Sequence, residues 1–192
     1  MPELIIQPTT IDSWLSEQDT DTNYGTDTKL VIGKGTNAFR SVLKFDFGAL
    51  PNQVDIIAAA FRAYVYSVIG SSGRTLWAYR LTQLAWTEAG VTWNKYDGSN
   101  NWAAAGGDYT ITDGASISGP AANNWAEWNT LNLAQYAQSS MSKILHLLLK
   151  DGTELANQVS YFYSSEYVTD TTKCPKLILN YRYKNGLWFG HA

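Results

Sequence analysis

One cysteine and two histidines in 192 residues leave little room for catalytic chemistry. Cys174 has no partner for an internal disulfide, so nothing in the chain requires an oxidising compartment. His146 lies between Leu145 and Leu147, and His191 is next to last, so neither is placed as the base that a Ser, Cys or Thr nucleophile needs. The same three residues give no zinc-like ligand spacing. The GKG at 33–35 has no helix after it and so makes no phosphate-binding loop. Charge is scarce as well: 16% of residues are charged, the net charge is −3, and the 14 Lys and Arg are scattered. Without a basic stripe, nucleic acid is excluded as a partner. The longest apolar run, ILHLLL at 144–149, is too short to cross a bilayer, so no membrane partner is expected. MPELIIQPTT lacks the charged and apolar regions of a signal peptide, and the chain as written reads as one outside the secretory route.

What is abundant is aromatic. Eight Trp and 12 Tyr bring aromatics to 14%, and with Thr, Val and 15 Gly the profile favours strands and tight turns. Period-two alternation recurs in SVLKFDF (41–47), AFRAYVYS (60–67) and LWAYRLT (76–82). Further strands are expected at 4–7, 30–33, 143–150, 159–165 and 176–183, separated by Gly, Asn and Pro turn signals. One short helix is expected over 131–139. Many short strands with almost no helix mean an all-β sandwich or barrel. The stretch 97–125, rich in Gly, Ala, Asn and Ser, reads as a long functional or mobile loop. A single domain over 1–183 is expected, followed by a tail (184–192) whose Leu187, Trp188 and Phe189 form an apolar cluster suited to docking on a partner or on the domain.

Candidate sites are few. Glu88, Glu127, Glu154 and Glu166 could supply a carboxylate pair for glycoside chemistry, but nothing selects two of them, and no catalytic residue is assigned. Trp86 and Trp93 look structural. Trp102, Tyr109 and Trp125, in the Gly- and Asn-rich stretch, are candidates to stack on sugar faces. DTDTNYGTDT (19–28) opens like a calcium loop with Asp19, Asp21 and Asn23, then departs from it, with Tyr24 at the turn position and Leu30 at the closing one. The preferred reading is a structural turn, with calcium kept as a candidate cofactor and no other expected.

The order NYG (23–25), RSVLKFDFGALP (40–51), LWAYRLTQLAWTEAGVTWN (76–94), GGDYT (106–110), FYSSE (162–166) and PKLILNY (175–181) resembles a DNRLRE-type domain over residues 4–183. The resemblance implies a jelly-roll-like antiparallel β-sandwich without catalytic residues. It occurs in polysaccharide-acting and cell-surface proteins, some of which bind acidic polysaccharide, and in components of phage particles. Two functions follow. The first is a non-catalytic structural protein of a phage particle, a capsid decoration or tail-associated protein in the virion, with other virion proteins or copies of itself as partners. The alternative is a carbohydrate-binding module or adhesin domain, extracellular or at a cell surface, with polysaccharide as partner. Fold alone does not choose between them.

Overall fold

The computed structural model describes residues 1–7, 11–70 and 74–184. The apolar cluster Leu187, Trp188 and Phe189 lies outside them. The described residues form eleven strands and one α-helix: β1 (Glu3–Ile6), β2 (Asp12–Ser16), β3 (Lys29–Lys34), β4 (Ala38–Asp46), β5 (Val54–Ile69), β6 (Thr75–Leu81), β7 (Tyr109–Ser118), β8 (Asn124–Asn129), α1 (Leu131–Ser139), β9 (Ile144–Asp151), β10 (Gln158–Tyr163) and β11 (Lys176–Tyr183). They pair antiparallel in the order β1-β11-β5-β10-β3-β4-β9-β6-β7, with β2 added on β4 and β8 on β5. The sheet is strongly curled, as a jelly-roll-like sandwich requires. Its longest strand, the 16-residue β5, pairs β11 over 54–62 and β10 over 65–69, and takes β8 on its other edge over 60–65.

Alternation decides which face is inside. On β5, Phe61, Ala63 and Val65 are buried in the curl, while Arg62, Tyr64 and Tyr66 point outward. On β4, Leu43 and Phe45 go in and Lys44 and Asp46 stay out. Phe45 meets Phe61 edge-on at 5.7 Å across the core, and Phe61 stacks on Trp128 at 5.1 Å. The Trp128 Nε1–H donates to the Leu76 carbonyl at 3.1 Å, so the buried indole keeps a partner. Each fully buried Phe here stabilises the fold by about 1.5–3 kcal/mol. Helix α1 buries Leu133, Ala134 and Ala137, and its Gln135 and Gln138 amides donate to the Ile56 and Val54 carbonyls of β5.

Three strands are not where the sequence pattern puts them. β2 is buried along its whole length, so it shows no alternation. β7 and the first two residues of β8 fall within the 97–125 stretch expected as loop. β7 pairs only β6 and is largely exposed, so small polar residues suffice there. Its Gly114 is demanded by Tyr79, whose ring would stand 2.7 Å from any added Cβ. In β8, alternation is present but hidden by the small Ala126 beside Trp128.

Candidate functional site

Adjacent strands on the outer face carry aromatic residues in step. β5 contributes Tyr64 and Tyr66, β10 contributes Tyr161 and Tyr163, and β8 contributes Trp125 directly opposite Tyr64. All five are half-buried. Tyr64 meets Trp125 edge-on at 5.4 Å and lies nearly parallel to Tyr163 at 5.9 Å. Tyr66 stacks on Tyr163 at 4.8 Å and contacts Tyr161 at 6.0 Å. Tyr167, just after β10, stacks on Tyr163 at 3.6 Å. Period-two alternation turns Phe162 of β10 into the core while Tyr161 and Tyr163 stay outside, and the register shift between Tyr161 and Phe162 leaves Tyr66 as the extra residue on β5.

Cations border this row. Lys176 Nζ stands 4.2 Å over the Trp125 ring and Lys173 Nζ stands 5.0 Å over Tyr64. The hydrogen bond with Tyr167, then desolvation, pushes the Tyr163 phenol up to about 12. Burial, then the Asp27 charge, raises Tyr66. These phenols are therefore neutral hydroxyls at ordinary pH, able to donate and accept hydrogen bonds.

A second aromatic group lies on β6 and β7. Trp77 stacks on Tyr79 at 5.2 Å, and Tyr79 on Tyr109 at 5.0 Å. Lys150 donates to the Tyr109 hydroxyl at 3.3 Å and pairs with Glu154 at 3.6 Å, and Arg40 pairs with Glu154 at 2.8 Å. Burial works to raise Glu154, but the Arg40 hydrogen bond and charge, helped by Lys150, hold it below the usual carboxylate range.

The three sugar-stacking candidates therefore do not form one site. Trp125 stands on strand β8 in the first group and Tyr109 at the start of β7 in the second. Trp102 is buried: it is 5% exposed, its Nε1–H donates to the Thr92 carbonyl at 3.0 Å, and it packs with Trp86 and Trp93. Only an edge of it reaches a shallow polar depression of about 170 Å³ shared with Asp21, Asn94 and Asn101. Sugar stacking requires an open ring face, which burial denies it. Another depression, about 270 Å³ beside α1, is lined by Gln53, Gln135, Gln138 and Lys184 together with Leu50, Pro51 and the buried Phe47, and offers no exposed aromatic ring.

The 19–28 segment forms a turn. Thr22 N–H donates to the Asp19 carbonyl and Asp27 N–H to that of Tyr24. Asp19 accepts from the Tyr24 hydroxyl, and Asp21 accepts from Asn94 at 3.4 Å. The Asn23 amide donates to the Glu88 and Val91 carbonyls, and its oxygen accepts from Gly25 N–H. Of the four glutamates, Glu127 pairs with Arg62 and Glu154 with Arg40, whereas Glu88 and Glu166 come together with Asp12. Sequence reasoning passed over Tyr64, Tyr66, Tyr161, Tyr163 and Tyr167. The available signal was a Tyr-x-Tyr pair on the outward parity of two separate strands.

A comparison with curated proteins finds no match. A family profile does: it covers residues 6–181, close to the span of the motif blocks, and by it the chain belongs to carbohydrate-binding module family 96.

Proposed function

We propose that the domain binds polysaccharide along the outer aromatic face of β8, β5 and β10, without catalysing its cleavage. The observation that carries this is the run Trp125, Tyr64, Tyr163, Tyr66 and Tyr161, ring against ring and half-buried on the surface. Pyranose C–H groups meet aromatic faces favourably, and neutral phenol hydroxyls hydrogen-bond sugar hydroxyls. Lys176 biases the face toward chains bearing carboxylate or sulfate groups, whereas Lys173 already pairs with Asp170 at 3.4 Å. Family membership supports the carbohydrate reading. The phage-particle reading, with its virion partners and self-assembly, gains no support from it. A polysaccharide partner fits work outside the cell or at its surface; among the described residues no helix is long and apolar enough to cross a membrane.

The test is affinity electrophoresis against neutral glucans and a polyuronate, with single alanine variants on each aromatic group. Retardation by the polyuronate that Tyr64→Ala and Tyr163→Ala weaken is the expected result. Retardation lost in Trp77→Ala or Tyr109→Ala instead, with Tyr64→Ala unchanged, would move the site to the second group. No retardation by any glycan would sink the reading.

A further inference from the structure

Asp12 on β2, Glu88 in the 82–108 segment and Glu166 just after β10 converge so that one carboxylate oxygen of each lies within 4.8 Å of the others. Part of the cluster is tied by hydrogen bonds. Asp12 N–H donates to Glu88 Oε1 at 2.8 Å, Ser165 N–H to Asp12 Oδ2 at 3.0 Å, and the Ser165 hydroxyl to Glu166 Oε1 at 2.8 Å. The remaining oxygens are what point to a ligand. Asp12 is 1% exposed, and its Oδ1 has no hydrogen-bond partner; Glu166 Oε2 is buried and equally without one. Buried carboxylate oxygens in proteins are paired or coordinate metals.

We propose that Asp12, Glu88 and Glu166 form a calcium site that joins the start of the sandwich to the segment carrying Tyr167. Oxygens that all lie within 4.8 Å of one another can share a single ion at calcium's bond length of about 2.4 Å, and a set of protein carboxylates suits calcium, whereas magnesium keeps most of its waters. All three ligands are hard oxygens. The nearby Cys174 thiol donates toward the Tyr167 carbonyl at 3.5 Å.

The frame around the site is rigid. An added Cβ at Gly25 would lie 2.5 Å from the Glu88 carbonyl oxygen and 2.8 Å from its Cγ, while Asn23 donates to that same carbonyl at 2.6 Å. The NYG turn thus clamps the backbone bearing Glu88, and the acidic 19–28 segment serves the site as scaffold.

The experiment uses the full chain stripped with EGTA, then titrated with calcium chloride by calorimetry and melted with and without calcium. One calcium ion per chain and a Tm rise of roughly 5–10 °C at about 100-fold excess over Kd are expected. Asp12→Asn and Glu166→Gln keep hydrogen-bond acceptors and remove like charge. Each is expected to match or exceed the parent's Tm in EGTA and to lose the calcium-dependent rise. Equal Tm values for the parent with and without calcium, together with no binding heat, would overturn the site. So would a full calcium response in Glu166→Gln, or an equal Tm rise with magnesium.

Discussion

Two regions of this molecule use aromatic residues in opposite ways. Under the 82–108 segment, Trp86, Trp93 and Trp102 are 0%, 7% and 5% exposed, packed on Leu15, Val42, Leu81 and Leu148 from the outside of the curled sheet. Across β8, β5 and β10 an equally dense group stays half-buried. The difference is the covering segment. Residues 82–108 fold back on themselves, with Thr87 N–H bonded to the Tyr96 carbonyl and Trp102 N–H to that of Asn94. Gly106, at φ +84, lets the chain pass so near the Trp93 ring that an added Cβ would stand 2.9 Å from it. Aromatic density therefore does not mark a binding face; lack of a cover does.

The sharpest way to break this contrast is Trp86→Ala. Removing a fully buried indole that also donates to His146 Nδ1 at 3.2 Å is expected to cost about 3–5 kcal/mol in chemical denaturation. Tyr161→Ala, on the open face, is expected to cost a small fraction of that. Similar losses for the two would mean that both groups are core.

His146 probes the covered region through pH. Desolvation, then the Lys44 charge, lowers it from 6.5 to about 4. Its folded form stays neutral where the unfolded form takes up a proton, so its contribution is intact above pH 6.5 and is lost as pH falls toward 4. By about pH 5 the loss is roughly 2 kcal/mol. His146→Gln retains an acceptor for Trp86 and is expected to flatten that limb. Asp12 and Glu88, raised by burial, push the other way, yet they are common to both proteins, so the difference curve reports His146. A difference curve flat from pH 7 to 4 would show that the imidazole does not titrate as its burial implies.

Much of the sandwich was legible because one-sided burial writes itself as alternation. β4, β5, β9, β11 and α1 stand within a few residues of where the pattern puts them. β2 was illegible because both its faces are covered: Leu15 packs under the 82–108 segment, Trp14 against Tyr24, and Asp12 among carboxylates. The site was legible only in fragments. Trp102 stood out because Gly and Asn around it suggest a ligand loop, whereas the indole is buried with Trp86 and Trp93, and Gly106 lets the chain pass close to the Trp93 ring. Glu88 and Glu166 were visible as acids, but their meeting with Asp12 depends on pairings across 76 and 153 residues, which no local pattern encodes.

On the open face, Tyr163 is the central test, because it contacts Tyr64, Tyr66 and Tyr167. Tyr163→Ala is expected to weaken polysaccharide binding about tenfold, on the order of 1.4 kcal/mol, while the fold remains cooperative. An unchanged affinity in a folded variant would remove this row from the site.

The smallest expected effect separates the lysines from the rings. Lys176 stands over Trp125 and Lys173 over Tyr64, each exposed enough for salt to screen it. If Lys176 recognises acidic groups on the glycan, Lys176→Gln weakens binding of a polyuronate about threefold at low salt, with little effect near 1 M salt, where the screening length is about 3 Å. Neutral-glycan binding, carried by the rings, would be unaffected at either salt. If Lys176 acts only by holding the Trp125 ring in place, the loss is the same for neutral and acidic chains and does not depend on salt. The salt slope, rather than the size of the loss, therefore decides whether this face selects for charge or only presents aromatic rings.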